Sequence, residues 1–262
     1  MGFLARWRIH KKNTANNKVE VSEQDGVRRM HFGTKTVQSA MRVNDPFALE
    51  VAYTRSMMAF LLFHPNPQDF LMVGLGGGST AKWVYQNLPT SRTTVVELDP
   101  EVLRIARGYF HVPADDARLR ILIDDGAVFL QQAKPTYDVI MVDGYDEFSQ
   151  AAALGTPAFY ANCRAALNPH GVLVVNLWGS DPRFQEFAET IGNQFDGLYL
   201  CLPAEQRGNI IVLAFERSPN MPKWDNLRNI ARHLEAQYGV EFMLFAEGLR
   251  KLNPHNDKRL LI

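Results

Sequence analysis

The chain has 262 residues, 46% hydrophobic and 21% charged, which is enough apolar material for one large domain or one domain with a small appendage. Its 28 basic and 28 acidic side chains balance to a formal net charge of zero, so no strong field draws it to nucleic acid or to an anionic membrane. The longest apolar run, around Met57 to Phe63, is far too short to span a bilayer.

The opening residues, Met1 to Arg8, have no long apolar core and no small-residue cleavage site, and Arg6 breaks the myristoylation pattern that Gly2 would open. A cytoplasmic protein is expected. Cys163 and Cys201 lie far apart with no CxxC pattern, which reads as two reduced, packed thiols. The seven histidines are scattered without ligand spacing, so no metal site is expected.

In chain order, Lys11 to Lys18 is polar and asparagine-rich and reads as a loose lead-in. Val19 and Val21, then Val27, Met30 and Phe32, flank Asp25-Gly26 as the arms of a β-hairpin. An extended piece, Thr36 to Met41, precedes Asp45-Pro46, which marks a helix start. Leu49, Ala52, Tyr53, Met57 and Phe60 then share a helical face until Pro65. The expected organisation is a β-rich unit with a connecting helix over 1–64 and a nucleoside-binding domain over 65–262.

From Phe70 onward strand and helix patterns alternate, which gives a mostly parallel α/β sheet of Rossmann-like type. Strands are expected at Leu71–Val73, Thr94–Glu97, Leu119–Ile123, Tyr137–Val142 and Val172–Asn176, the last introduced by an Asn168-to-Gly171 turn. Helices are expected at Thr80–Asn87, Glu101–Tyr109, Ala127–Gln132, Pro157–Leu167 and Phe184–Asn193. Leu198–Leu202 and Ile210–Phe215 leave no room for a crossover helix, so they should pair antiparallel, as in a methyltransferase-type sheet. Trp224 to Leu252 reads as a helical tail with packing faces and no chemistry.

The apolar run Phe70 to Val73 opens into Gly74-Leu75-Gly76-Gly77-Gly78, with Glu97 closing the next strand about twenty residues later. Glycine lets a ligand lie against bare backbone at a helix amino terminus, and the acid is placed to accept hydrogen bonds from ribose hydroxyls. A dinucleotide fingerprint would put its third glycine at position 79, where the chain has Ser79, so a nucleoside fits better than NAD.

Strand ends in such a sheet point into one crevice, so Asp124-Asp125-Gly126 and Asp143-Gly144-Tyr145-Asp146 should converge with the glycine loop. Asp124 or Asp125 suits an adenine amino group, with Ala127 offering a backbone donor to a ring nitrogen; Asp-Asp-Gly is also an ordinary turn and helix cap. Asp143 and Asp146 fall where a nucleotide's reactive end would emerge, and such acid density suits a cationic substrate; either could equally end a strand or cap a helix.

In order and spacing, Gly76-Gly77-Gly78, Val96-Glu97-Leu98-Asp99-Pro100, Asp125-Gly126-Ala127, Asp143 with Asp146, the hairpin and the Gln38-Ser39 segment resemble the polyamine aminopropyltransferases typified by spermidine synthase. The resemblance implies transfer of an aminopropyl group from decarboxylated S-adenosylmethionine to a diamine such as putrescine, with no metal and no permanently bound cofactor. It implies Asp143 as the base, Asp146 as the diamine anchor with Tyr145 beside it, and donor contacts at Gln38, Gly74, Gly76, Gly77, Gly78, Ser79, Glu97, Leu98, Asp124, Asp125, Gly126 and Ala127; Tyr53, one turn beyond the family's tyrosine position, could take the tyrosine's place at the diamine, with helix packing as the reading its spacing favours. A homodimer is the further implication.

The chain departs from the family pattern at its diamine and amino-group ends. The family has aspartate at position 79; tyrosine and glutamine stand where this chain has Leu49 and Glu50; proline stands where it has Glu147; and a tryptophan near the last strands is absent from Arg207 to Ile211. Two alternatives remain on the residues: an S-adenosylmethionine-dependent methyltransferase with the same loop and acid, and a noncatalytic domain that senses a nucleoside or a polyamine.

Overall fold

A computed structural model describes residues 7–13, 18–33, 36–144, 152–204 and 208–262. Strands β1 (Trp7–Asn13), β2 (Lys18–Gln24), β3 (Val27–Phe32) and β4 (Ser39–Arg42) form an antiparallel sheet in that spatial order. The β2–β3 hairpin closes through Asp25 (φ 54°) and Gly26 (φ 69°), the two left-handed positions a tight two-residue turn needs. Residues 11–13 belong to β1 and Lys18 opens β2, so the described ends of the stretch read as a loose lead-in are sheet. Period-two alternation was hidden there by lysine and asparagine.

Helix α1 spans only Ala52–Met57, continued by a 3-10 turn over Met58–Leu62. It does not begin at Asp45-Pro46. The carbonyls of Pro46, Leu49 and Glu50, which a helix would pair internally, are instead taken by Lys82 Nζ (2.7 Å) and Arg55 Nη1 (3.1 and 3.0 Å).

The main domain runs β5 (Asp69–Val73), α2 (Ser79–Asn87), β6 (Arg92–Glu97), α3 (Pro100–Phe110), β7 (Leu119–Ile123), α4 (Gly126–Gln131) and β8 (Tyr137–Val142). It continues through α5 (Pro157–Ala166), β9 (Leu167–Trp178), α6 (Phe184–Gln194), β10 (Tyr199–Pro203) and β11 (Asn209–Phe215), then α7 (Trp224–Tyr238) and α8 (Phe242–Gly248). The seven strands lie in the order β10-β11-β9-β8-β5-β6-β7, with the first five in sequence parallel and β11 antiparallel to both neighbours. The chain steps outward from β5 to β7 and then returns to β8 on the other side of β5. A crevice therefore opens between the carboxyl ends of β5 and β8.

Alternate side chains feed two cores. Met72, Val95 and Met141 pack under the 3-10 turn, α7 and α8, while Leu71, Val73, Ile140 and Val175 pack against Tyr160 and Cys163 of α5 and Ile191 of α6. Strand β9 starts earlier than the sequence suggests, because Asn168 to Gly171 forms a bulge: Tyr137 faces Leu167, but Val139 faces Val172. Ile230 and Leu244 of the tail, read as packing residues, are exposed.

The small sheet docks on α3, where Val19, Val21, Met30 and Met41 cluster with Ile105 and Phe110. Two cations seal the contact at the helix carboxyl end: Arg28 Nη1 donates to the Tyr109 carbonyl (2.6 Å) and Lys82 Nζ to that of Phe110 (2.7 Å). Lys82 is 1% exposed, and burial lowers its pKa from 10.5 to about 8. A neutral amine keeps two N–H donors for the two carbonyls. The folded chain binds this proton more weakly than the unfolded chain, so raising the pH from 8 to 10 favours the fold. The destabilisation caused by Lys82→Met should therefore grow over that range by about 1 kcal/mol per pH unit, measured by urea unfolding of both proteins at each pH.

Candidate active site

The crevice is organised by Glu97 at the end of β6. Its carboxylate accepts the amide of Leu75 (2.9 Å) on Oε2 and that of Asp99 (2.9 Å) on Oε1, so one side chain holds the glycine loop against the next strand end. Burial pushes its pKa up, and the two amides pull it back. Asp99 caps α3 by accepting the Glu101 amide (2.8 Å).

The loop leaves β5 through Gly74 (φ 95°), where a Cβ would stand 2.5 Å from the Asp143 carbonyl. Gly78 caps α2 in the left-handed region (φ 68°), and Ser79 opens that helix. The Ser79 hydroxyl lies 3.3 Å from that of Ser39 and donates to the Ala40 carbonyl (3.4 Å), so β4 reaches the helix start.

Asp143 follows β8 at the crevice floor. Its Oδ1 accepts Asn176 Nδ2 (2.9 Å), and Asn176 Oδ1 accepts Asn209 Nδ2 (2.9 Å). Its Oδ2 accepts the Tyr53 hydroxyl (3.1 Å), which also lies 3.2 Å from the Gln38 carbonyl. Burial pushes the Asp143 carboxyl up, opposed by the hydrogen bonds from Asn176 and Tyr53.

Of the residues singled out from the sequence, Gln38, Tyr53, Gly74, Gly76, Ser79, Glu97, Leu98, Asp125, Gly126 and Asp143 line one cleft. Gly77 and Gly78 lie behind it, Gly77 against Ser39 and Phe110 and Gly78 against Val112. Asp124 does not reach the cleft: it lines a separate depression with Phe129 and Gln132. The Ala127 amide is not open to a ligand, because Asp125 Oδ1 takes it (2.7 Å) in capping α4. The cap and ligand readings of Asp125 are thus compatible, since Oδ2 takes no part in the cap. Tyr145 and Asp146 lie outside the described residues.

Sequence reasoning missed Asn176 and Asn209. Asn176 stood only as the polar end of an apolar strand, and nothing local linked it to Asn209, 33 residues away. The described lining holds four carboxyls, Glu97, Asp99, Asp125 and Asp143, and no cation. Among the described residues no group of three histidine, cysteine or acidic side chains could hold a metal ion.

Residues 50–213 match the spermine/spermidine synthase domain. The polyamine aminopropyltransferase of Chromobacterium violaceum is 38% identical over 257 residues, 98% of this chain and 98% of that protein. The polyamine aminopropyltransferase of Neisseria meningitidis serogroup A is 40% identical over 241 residues, 92% of each. A spermidine synthase solved with the transition state analogue AdoDATO shares the fold at a TM-score of 0.74 and 21% identity, over 93% of this chain and 86% of that one.

The close approach of Gly74 to Asp143 gives a direct check on the geometry. Gly74→Ala should cost roughly 2–5 kcal/mol in chemical denaturation, from left-handed strain plus displacement of the Asp143 backbone. Gly26→Ala, also at positive φ but with open space around it, should cost about 1–2 kcal/mol.

Proposed function

The chain belongs to the spermine/spermidine synthase family, and on that premise we propose that it moves an aminopropyl group from decarboxylated S-adenosylmethionine to a diamine such as putrescine, releasing methylthioadenosine. One observation carries the choice of donor. The described cleft lining has four carboxyls and no cation, so it suits a donor whose tail ends in an ammonium and offers nothing to the carboxylate of intact S-adenosylmethionine. A methyltransferase reading needs that carboxylate received.

In this reading Glu97 turns its remaining lone pairs to the ribose hydroxyls, and Asp125 Oδ2 accepts the adenine amino group. Leu98, 59% exposed, covers the base. Backbone at Gly74, Gly76 and Gly126 allows close approach, with Gln38 across the cleft. Ser79, paired with Ser39, meets the aminopropyl end with hydroxyls. No permanently bound cofactor is called for.

Asp143 is the base. A diamine nitrogen with a pKa of about 10 arrives protonated and has no lone pair to attack with. The Asp143 carboxylate takes that proton, the freed lone pair attacks the methylene carbon beside the sulfonium, and the carbon–sulfur electron pair stays on sulfur as a neutral thioether. Each unit by which burial raises Asp143 toward the amine lowers the cost of proton transfer by about 1.4 kcal/mol. Tyr53 orients the carboxylate. Asp146 and Tyr145 are assigned to the far ammonium on the family resemblance.

We keep 1–64 and 65–262 as the working division, since the smaller part brings Gln38, Ser39 and Tyr53 to a cleft the larger part builds. Two unpaired, buried cysteines fit a reducing compartment such as the cytoplasm. No described helix is long and apolar enough to cross a membrane. The edge strands of the small sheet support a homodimer; light scattering at micromolar protein should give twice the chain mass, and the mass of one chain refutes it.

Purified protein given putrescine with the decarboxylated or the intact donor, followed by mass spectrometry, should form spermidine and methylthioadenosine from the first and no S-adenosylhomocysteine from the second. Asp143→Asn should lower the rate about 10²–10⁴-fold. Unaltered turnover in that variant would remove Asp143 as the base.

A further inference from the structure

Asn176 is 3% exposed, and neither it nor Asn209 lines the cleft. Val142 faces Val175 across β8 and β9, so the next residue on each strand, Asp143 and Asn176, meet side by side. On the other side β11 runs antiparallel, with Ile211 facing Asn176 and Asn209 facing Trp178. Asn209 is therefore the diagonal neighbour of Asn176, within side-chain reach.

A carboxamide has a donor end and an acceptor end that exchange on rotation by half a turn. Asn209 Nδ2 donates to Asn176 Oδ1, which leaves Asn176 Nδ2 to donate to Asp143 Oδ1. The reverse orientation would set oxygen against a carboxylate at Asp143, so the carboxylate fixes which end of Asn176 faces it and Asn209 holds the other end in place. With Oδ1 held, Oδ2 is the oxygen that meets Tyr53 and the cleft.

We propose that Asn176 and Asn209 are positioning residues for Asp143: Asn209 anchors the acceptor end of the Asn176 amide, and that amide holds the carboxylate so that Oδ2 alone faces the substrate amine. The inference rests on Asp143 as the base. It adds two residues that touch no substrate and act through it. The hydrogen bond also favours the ionised form of Asp143 against the burial that opposes it. Among the described residues Tyr53 is the titratable group in contact with Asp143, and Glu97, Asp99 and Asp125 line the same cleft. Losing the amide donor thus raises the pKa of the base and moves the acid limb of kcat/KM to higher pH.

The test compares Asn209→Ala, Asn209→Gln, Asn176→Leu and Asp143→Asn in the full chain, by pH–rate profiles with putrescine and the decarboxylated donor and by calorimetric binding of methylthioadenosine. Asn176→Leu should lower kcat about 10- to 100-fold, the cost of one hydrogen bond to a charged group. Asn209→Ala should lower it several-fold, with methylthioadenosine affinity within twofold of the parent and the acid limb displaced upward, and Asn209→Gln should recover part of both. An unshifted limb in Asn209→Ala, whether kcat is unchanged or lowered equally at every pH, overturns the proposal, and this variant stands even if Asn176→Leu does not fold. Full activity in Asp143→Asn would instead refute the reading of Asp143 on which the proposal rests.

Discussion

A single buried carboxylate holds the site together. Glu97 is 8% exposed, and removing its charge from water is costly unless hydrogen bonds replace the lost solvent. The amides of Leu75 and Asp99 supply them. In doing so they tie the loop after β5 to the segment that starts α3, leaving α2 and α3 with their amino termini at one crevice. The acid we assign to the ribose is thus also the reason the loop has its shape.

The second constraint is backbone proximity. The Gly74 amide donates to the Val96 carbonyl and the Asp143 amide to that of Val73, each at 2.9–3.0 Å, so the parallel ladders of β6 and β8 run past the end of β5. That continuation leaves no space for a side chain at position 74. At Gly126 a Cβ would meet Val73 Cγ1 at 2.5 Å. Glycine here is a packing requirement at the switch point as much as a means of admitting a ligand.

The acceptor side depends on elements distant in sequence. Arg28 and Lys82 reach the last carbonyls of α3 from the small sheet and from α2, and Lys82 also holds the Pro46 carbonyl. Arg55 gathers Leu49 and Glu50 while pairing with Glu241 of the carboxyl-terminal tail (2.6 Å). These cations stabilise a non-helical approach to α1, which places the Tyr53 hydroxyl on Asp143. The tail, to which the sequence assigned only packing, thereby braces one wall of the cleft.

The α/β alternation, the antiparallel ending, the glycine loop, Glu97, Asp125 and Asp143 were all legible in the sequence. Each is governed by local rules: apolar periodicity for strands, backbone freedom for glycine, and strand-end position for the acids. Hydrophobic periodicity missed β1 because its residues are largely polar, and it overextended α1 because Lys82 of α2 and Arg55 of α1 itself claim the carbonyls of the expected first turns. The difference between Asp124 and Asp125 was equally out of reach, since both follow β7 and only the backbone turn decides which one faces the cleft. Residue types at fixed spacing thus determined the glycine loop and the strand-end acids that line the cleft. Only the tertiary structure decided how Asp143 is held, because Tyr53, Asn176 and Asn209 come from three separate elements whose side chains meet through sheet register and helix docking.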